Sequence, residues 1–400
     1  MTPIYLDNNA TTAIAPEVLE EMLPYLKELY GNPSSMHTFG GQLGVKVREA
    51  RAKVAALLGA EPEEIVFTSC GTESDNTAIM SALETYPQKR HVITTRVEHP
   101  AVYNFCKHLA RKGYRVTYLP VDSKGKLNME AFYKALDDDT VIVSIMYANN
   151  ETGVIFPIEE IGTLLRERGI LFHTDAVQAV GKIPIDLKKL PVDMLSLSGH
   201  KLHAPKGVGA LYVRKGTRFY PYIIGGHQEH GRRAGTENTA SLIALGKACE
   251  LAAENLEAEV PYLTRLRDKL EQALLDLCPD PRVNGDTEHR LPNTTNISFE
   301  YVEGEAILLR LDEYGICASS GSACTSGSLE PSHVLRAMGV PFTAMHGSVR
   351  FSLSRYNTEE EIDKVIEVLP SIIKELRSLS PYGREKLVAE KISQCAASST

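Results

Sequence analysis

The residues able to do chemistry gather where short apolar runs end. The run 171–174 leads directly into Asp175, followed by Ala176, Val177 and Gln178. A carboxylate in so apolar a setting is partly desolvated and needs a partner. A second run, 194–198, ends in Ser198-Gly199-His200-Lys201. A lysine among small and apolar neighbours loses proton affinity and becomes a usable nucleophile, although a surface lysine at a turn is the commoner fate. After the run 65–68 comes Ser69-Cys70-Gly71-Thr72-Glu73-Ser74-Asp75-Asn76. Thr72 with Asp75 three residues later reads as a helix N-cap, and exposed amides at a helix start attract anions. Alone, that pattern is only a well-capped helix. An anion site, an acid ending one strand and a lysine ending the next are together what pyridoxal phosphate requires. Its phosphate needs amides and hydroxyls, its pyridinium nitrogen a carboxylate and its aldehyde an amine. A nucleotide P-loop fits poorly, because none of Gly125-Lys126, Gly181-Lys182 and Gly246-Lys247 is followed by Ser or Thr. A Rossmann fingerprint is absent as well.

Further groups follow other runs. His99, in Val97-Glu98-His99-Pro100, could stack on a cofactor ring and exchange protons with it, or simply cap the next helix. Asn149-Asn150-Glu151-Thr152-Gly153 offers amides to a ligand or forms an ordinary turn. The basic, glycine-rich stretch Gly231-Arg232-Arg233-Ala234-Gly235-Thr236 is a second anion contact or a solvated loop, with equal weight. Cys324 sits in Ser322-Ala323-Cys324-Thr325-Ser326-Gly327. Small neighbours on both sides suit an accessible, mobile thiol that visits one site and delivers to another, against an incidental cysteine in a Ser/Gly linker.

The elements that position these groups are legible in outline. Apolar, β-branched runs at 65–68, 91–95, 116–119, 141–146, 171–174, 194–198 and 209–213 alternate with helical segments such as 131–136 and 158–168. Such alternation predicts an α/β fold, a mainly parallel sheet with ligands beyond the carboxyl ends of its strands. From residue 240 to about 277 the chain is helical. Then come a strand at 294–299, a helix at 304–314, a strand at 349–354 and a helix at 358–377 opened by the capping-box pattern Thr358-Glu359-Glu360-Glu361. The expected division is a large domain, 16–255, and a smaller α+β domain formed by 1–15 and 256–400. The stretch after Ser380 is polar and patternless.

Composition narrows the class. Of 400 residues, 43% are hydrophobic and 24% charged, and the net charge is 43 − 51 = −8. Neither nucleic acid nor an anionic membrane would find a basic surface to hold. No apolar stretch nears the roughly 18–20 residues of a membrane span, and the opening MTPIYLDNNATT lacks a secretory pattern. Seven scattered cysteines without a C-x-x-C pair suit a reducing compartment, which implies the cytoplasm, and give no firm metal site. Six of them read as small buried hydrophobes.

From Tyr5-Leu-Asp-Asn-Asn-Ala-Thr-Thr to about Pro381 the chain resembles the cysteine desulfurases of the NifS/IscS class, fold-type I pyridoxal phosphate enzymes. Phe67-Thr-Ser-Cys-Gly-Thr-Glu-Ser, His173-Thr-Asp-Ala-Val-Gln, Ser198-Gly-His-Lys, Gly231-Arg-Arg-Ala-Gly-Thr-Glu-Asn and Ser320-Gly-Ser-Ala-Cys-Thr-Ser-Gly-Ser carry the likeness. The long loop around the cysteine resembles the first desulfurase group, not the shorter-looped SufS-like one, and the Ser-Gly-Ser ending, His173 and the Gly-His-Lys-Leu-His-Ala-Pro-Lys run are most similar to the nitrogenase-associated NifS branch. The resemblance implies a large domain with a seven-stranded sheet. It implies that Lys201 holds the cofactor and moves the Cα proton, Asp175 pairs with the ring nitrogen, Gln178 touches the ring's phenolic oxygen and His99 stacks on the ring. Gly71, Thr72, Ser198 and His200 would bind phosphate with Thr236 from the second subunit of a homodimer. Asn150 and Arg350 would receive the substrate carboxylate, and Cys324 would take the sulfur of L-cysteine as a persulfide for an iron–sulfur scaffold protein; any metal contact of Cys324 would be a transient one through that persulfide. Rival readings are a selenocysteine lyase or sulfinate desulfinase with the same cofactor, an aminotransferase that needs no thiol, and a docking platform for scaffold proteins.

Overall fold

The structure is a computed structural model that describes residues 3–320 and 331–380. Its strands are β1 (Ile4–Tyr5), β2 (Ile65–Thr68), β3 (His91–Thr95), β4 (Arg115–Leu119), β5 (Thr140–Ser144), β6 (Leu171–Asp175), β7 (Met194–Ser198), β8 (Gly209–Val213), β9 (Pro281–Val283), β10 (Thr294–Phe299), β11 (Ile316–Cys317) and β12 (Ser348–Ser352). Its α-helices are α1 (Pro16–Lys27), α2 (Thr38–Leu58), α3 (Gly71–Thr85), α4 (Pro100–Arg111), α5 (Met129–Ala135), α6 (Ile158–Arg168), α7 (Thr239–Leu277), α8 (Gly304–Asp312), α9 (His333–Ala337), α10 (Phe342–Met345) and α11 (Glu359–Leu379).

Seven strands form the central sheet in the order β2-β8-β7-β6-β5-β3-β4. All run parallel except β8, which is antiparallel to both β2 and β7. Every residue of β2, β3, β5, β7 and β8 is buried. That is why these strands read as continuous β-branched runs rather than alternating ones: helices cover both faces. Between them, helices such as α4 and α6 return the chain to the start of the next strand. Gly169, left-handed at φ 64°, ends α6 so that β6 can begin two residues later.

Three short strands form a second, antiparallel sheet, β12-β10-β9, and β1 pairs in parallel with β11. The 39-residue α7 links the two parts. Its first half, Leu242 to Ala252, packs into the core under the large sheet. Leu263, Leu266, Leu270 and Leu274 pack with Leu6, Phe299, Phe351 and the apolar face of α11. Pro261 lies inside the helix between these stretches, where one backbone hydrogen bond is forgone. The capping box expected at α11 is formed: Glu361 N–H donates to Thr358 Oγ1 at 3.3 Å and Thr358 N–H to Glu361 Oε2 at 3.2 Å.

The expected cap of α3 is not. The N-cap is Cys70, not Thr72, and its side chain makes no capping bond. The physical reason is that Asp75 turns inward: it is 1% exposed and lies 3.6 Å from His173 Nε2, so it cannot reach back to the helix start. The first turn of α3 is therefore left without a side-chain cap.

Candidate active site

A cavity of about 360 Å³ opens at the carboxyl ends of the parallel strands. Strand β6 delivers Asp175 to it and β7 delivers Ser198, with His200 and Lys201 in the turn that follows. Gly71 and Thr72, the first residues of α3, line another side. His99, which precedes α4, and Asn150, beyond β5, complete the strand-end set, and Arg350 arrives from β12 of the second sheet. Ten of the twelve residues singled out from sequence therefore share one cavity. Thr236 does not line it and is exposed on the surface of this chain. Cys324 lies outside the described residues.

The Lys201 amine donates to the main-chain carbonyls of Asn9 at 2.5 Å and Ala10 at 2.6 Å. Asp175 Oδ1 accepts the Val177 N–H at 2.9 Å. Burial raises the Asp175 carboxyl above its ordinary range, which the Val177 amide and the nearby Lys201 charge oppose. Beneath it, burial likewise raises Asp75 and pushes Glu98 up to about 8. His99 caps α4: its Nδ1 accepts the Ala101 N–H at 3.2 Å. An accepting Nδ1 carries no proton, so the neutral ring holds its proton on Nε2. Burial, with the charge of Lys201, pulls the ring's pKa down to about 4 and keeps it neutral near pH 7. The same causes hold His200 at about 4.

These residues fit pyridoxal phosphate. Ser198 is 3% exposed and its Oγ has no hydrogen-bond partner among the described residues. A buried hydroxyl is normally satisfied, so this orphan marks a place for a polar ligand atom. It faces the uncapped start of α3, whose amides and dipole favour an anion. Gly71 lets the start of α3 press against the turn after β6 and beside Ser198, since a Cβ there would lie 2.8 Å from Val177 Cγ2 and 3.5 Å from Ser198 Cβ.

The chain matches the class-V aminotransferase family over residues 4–365. It belongs to that family. Members use pyridoxal phosphate, and the fold is that of the fold-type I enzymes. A cysteine desulfurase of a Nostoc species is 64% identical over 386 residues, spanning 96% of each chain. The cysteine desulfurase NifS of Azotobacter vinelandii is 61% identical over 96% of this chain and 95% of its own. Among solved structures, a NifS-like protein superposes with a TM-score of 0.88 at 42% identity, covering 94% of this chain and 100% of its own.

Several of the groups singled out from sequence also bond within the protein. Asn149 folds an ordinary turn: its Oδ1 accepts the Glu151 and Thr152 amides at 2.9 and 3.0 Å. The arginines of the 231–236 stretch are engaged by protein groups. Arg233 pairs with Glu73 at 2.8 Å and Arg232 donates to the Ile65 carbonyl at 3.1 Å. Arg350 is 3% exposed, pairs with Asp7 at 2.7 Å and donates to the Asn150 carbonyl at 3.0 Å. Its Nε has no partner among the described residues.

Sequence reasoning missed the wall built by the N-terminal segment. Asn9 and Ala10 line the cavity and hold Lys201, and Asn9 also bonds Gln178, Asn293 and Thr294. The polar run Asp7-Asn8-Asn9-Ala10-Thr11-Thr12 was the available signal: six small or polar residues so near an apolar strand invite a bonding role.

Proposed function

We propose that this chain releases sulfur from L-cysteine as a cysteine desulfurase, with Lys201 and Cys324 as its two working groups and a cytoplasmic homodimer as its working form. The observation that carries the reading is the joint placement of the Lys201 amine, the Asp175 carboxyl and the orphan Ser198 hydroxyl in one strand-end cavity. Pyridoxal phosphate, when bound, supplies an aldehyde for the amino acid and an electron sink for its Cα.

The chain's residues supply the rest. Lys201 holds the aldehyde and then, as a free amine, takes the proton from Cα. Asp175, anchored by one oxygen to Val177, would use the other to hold the ring nitrogen in its protonated form. His99 offers the face of a neutral ring for stacking, and Gln178 donates to the ring's phenolic oxygen. Ser198, His200 and the amides of Gly71 and Thr72 take the phosphate, joined by Thr236 of the second subunit. Exposed Tyr30, Met36, Tyr220, Tyr222 and Ile224 offer apolar surface for such a dimer. Asn150 and Arg350 receive the substrate carboxylate, for which the guanidinium fork is suited. The Cys324 thiolate attacks the substrate sulfur, the C–S bond breaks, and reprotonated alanine leaves behind a persulfide. An iron–sulfur scaffold protein is the acceptor, nitrogenase-associated by the NifS likeness. The large unit is 16–255; residues 1–15 and 256–400 make the small one that carries the cysteine.

Replacing Cys324 with Ala tests the assignment. Cofactor content should be unchanged and alanine formation from cysteine should fall by at least about a hundredfold, the scale of losing a positioned nucleophile. Alanine formed at the native rate would contradict the role and favour a selenocysteine lyase- or sulfinate desulfinase-like use of the site, in which the sulfur or selenium leaves without a thiol.

A further inference from the structure

Gln178 is held at both ends. Its Nε2 donates to the Asn9 main-chain carbonyl at 2.9 Å. Its Oε1 accepts from Lys182 Nζ at 2.7 Å, and the same amine reaches Asn9 Oδ1 at 3.3 Å. The carbonyl only accepts, and the lysine amine donates to Oε1 in either protonation state. Turning the amide over would set its oxygen against the Asn9 carbonyl and break the bond from Lys182 to Oε1. An amide nitrogen carries two protons, and Asn9 takes one. The second has no acceptor among the described residues, while Gln178 itself lines the cavity.

The placement of Lys182 is built into the chain. Gly181 adopts φ 72°, and a Cβ there would lie 2.4 Å from Leu202 Cδ2, so only glycine lets this turn press against the segment carrying Lys201. Burial, with Lys201 and Arg350 nearby, lowers the Lys182 pKa well below the lysine range. Both its charged and neutral forms keep N–H donors, so the contact survives either way. The Asn9 carbonyl, with two lone pairs, accepts from Gln178 and from the Lys201 amine together and orients the Nε2 end, while Lys182 holds the Oε1 end.

We propose that Lys182 is a positioning residue that fixes the polarity of the Gln178 amide, so that its free N–H faces the cofactor's ring oxygen. The proposal rests on the reading of Gln178 given above and deepens it.

The test compares holoproteins carrying Lys182→Met, Lys182→Arg, Gln178→Ala and the Lys182→Met/Gln178→Ala pair. The readouts are the absorption maximum of the bound cofactor and its dissociation constant. Melting of each apoprotein separates loss of fold from loss of position. Lys182→Met is expected to shift the absorption band in the same direction as Gln178→Ala and to weaken cofactor binding by about fivefold, the weight of one neutral hydrogen bond. Lys182→Arg, which keeps the donor, should restore both, and the double variant should match Gln178→Ala alone. A shifted Gln178→Ala beside an unshifted Lys182→Met overturns the Lys182 proposal alone. Effects that multiply in the double variant overturn it too, since Lys182 would then act by another route. An unshifted Gln178→Ala overturns the reading of Gln178 itself.

Discussion

Replacing Ser198 with Ala should move the apoprotein and the cofactor complex in opposite directions. Ser198 Oγ is buried without a hydrogen-bond partner among the described residues. Such an unsatisfied hydroxyl costs about 1–3 kcal/mol, so its removal should raise apoprotein stability by on the order of 1 kcal/mol. The methyl that remains keeps the packing against the start of α3. In the complex the same hydroxyl donates to a charged phosphate, an interaction of about 1.5–3 kcal/mol. Its loss corresponds to roughly 10- to 150-fold weaker cofactor binding. At a fixed, saturating cofactor concentration the stabilisation by the ligand falls by that same free energy. Thermal unfolding of both proteins across a cofactor titration, with dissociation constants from fluorescence, would show the curves crossing. The variant melts at or above the parent without cofactor and below it with cofactor. A variant that loses stability as apoprotein while binding cofactor normally would refute the reasoning, because the hydroxyl would then be structural.

Glu98 gives a pH-dependent case. Its folded pKa, about 8, lies above the ordinary glutamate value, so the folded chain holds a proton that the unfolded chain has released. Its stability contribution is therefore present at low pH and lost as pH rises from about 4.5 toward 8, with a slope approaching ~1.4 kcal/mol per unit. Glu98→Gln should flatten the stability–pH curve in urea titrations over that window and gain on the parent as pH rises; parallel curves would contradict the shift. Glu229 accepts from Arg51 at 2.6 Å through each oxygen and from the Phe67 N–H at 2.9 Å. Glu229→Ala leaves a buried guanidinium unpaired and should lower unfolding free energy by about 3–5 kcal/mol. A loss below about 1 kcal/mol would show that the loop relaxes around Arg51.

How legible this chain is depends on the length over which a pattern repeats. The seven central strands lie within two residues of where their apolar runs place them, because parallel strands buried on both faces leave long β-branched signatures. Strands β1, β9 and β11 have two or three residues each and show no period to read. Asp175 and Ser198 were readable because each ends such a strand, and Lys201 because it lies in the turn three residues beyond one. Lys182 and Asn9 were not: their importance comes from contacts across 173 residues of sequence, which no local pattern records. The cap of α3 shows the limit of local rules, since Thr72-x-x-Asp75 satisfies the capping pattern yet Asp75 is claimed by the buried neighbourhood of His173.

The activity depends on one covalent contact. Holoprotein reduced with borohydride, digested and sequenced by mass spectrometry should carry the pyridoxyl phosphate mass on the peptide containing Lys201, and Lys201→Ala should carry none. A label on Lys182 or another lysine, or an unlabelled parent protein whose cofactor washes away after reduction, would contradict the central claim.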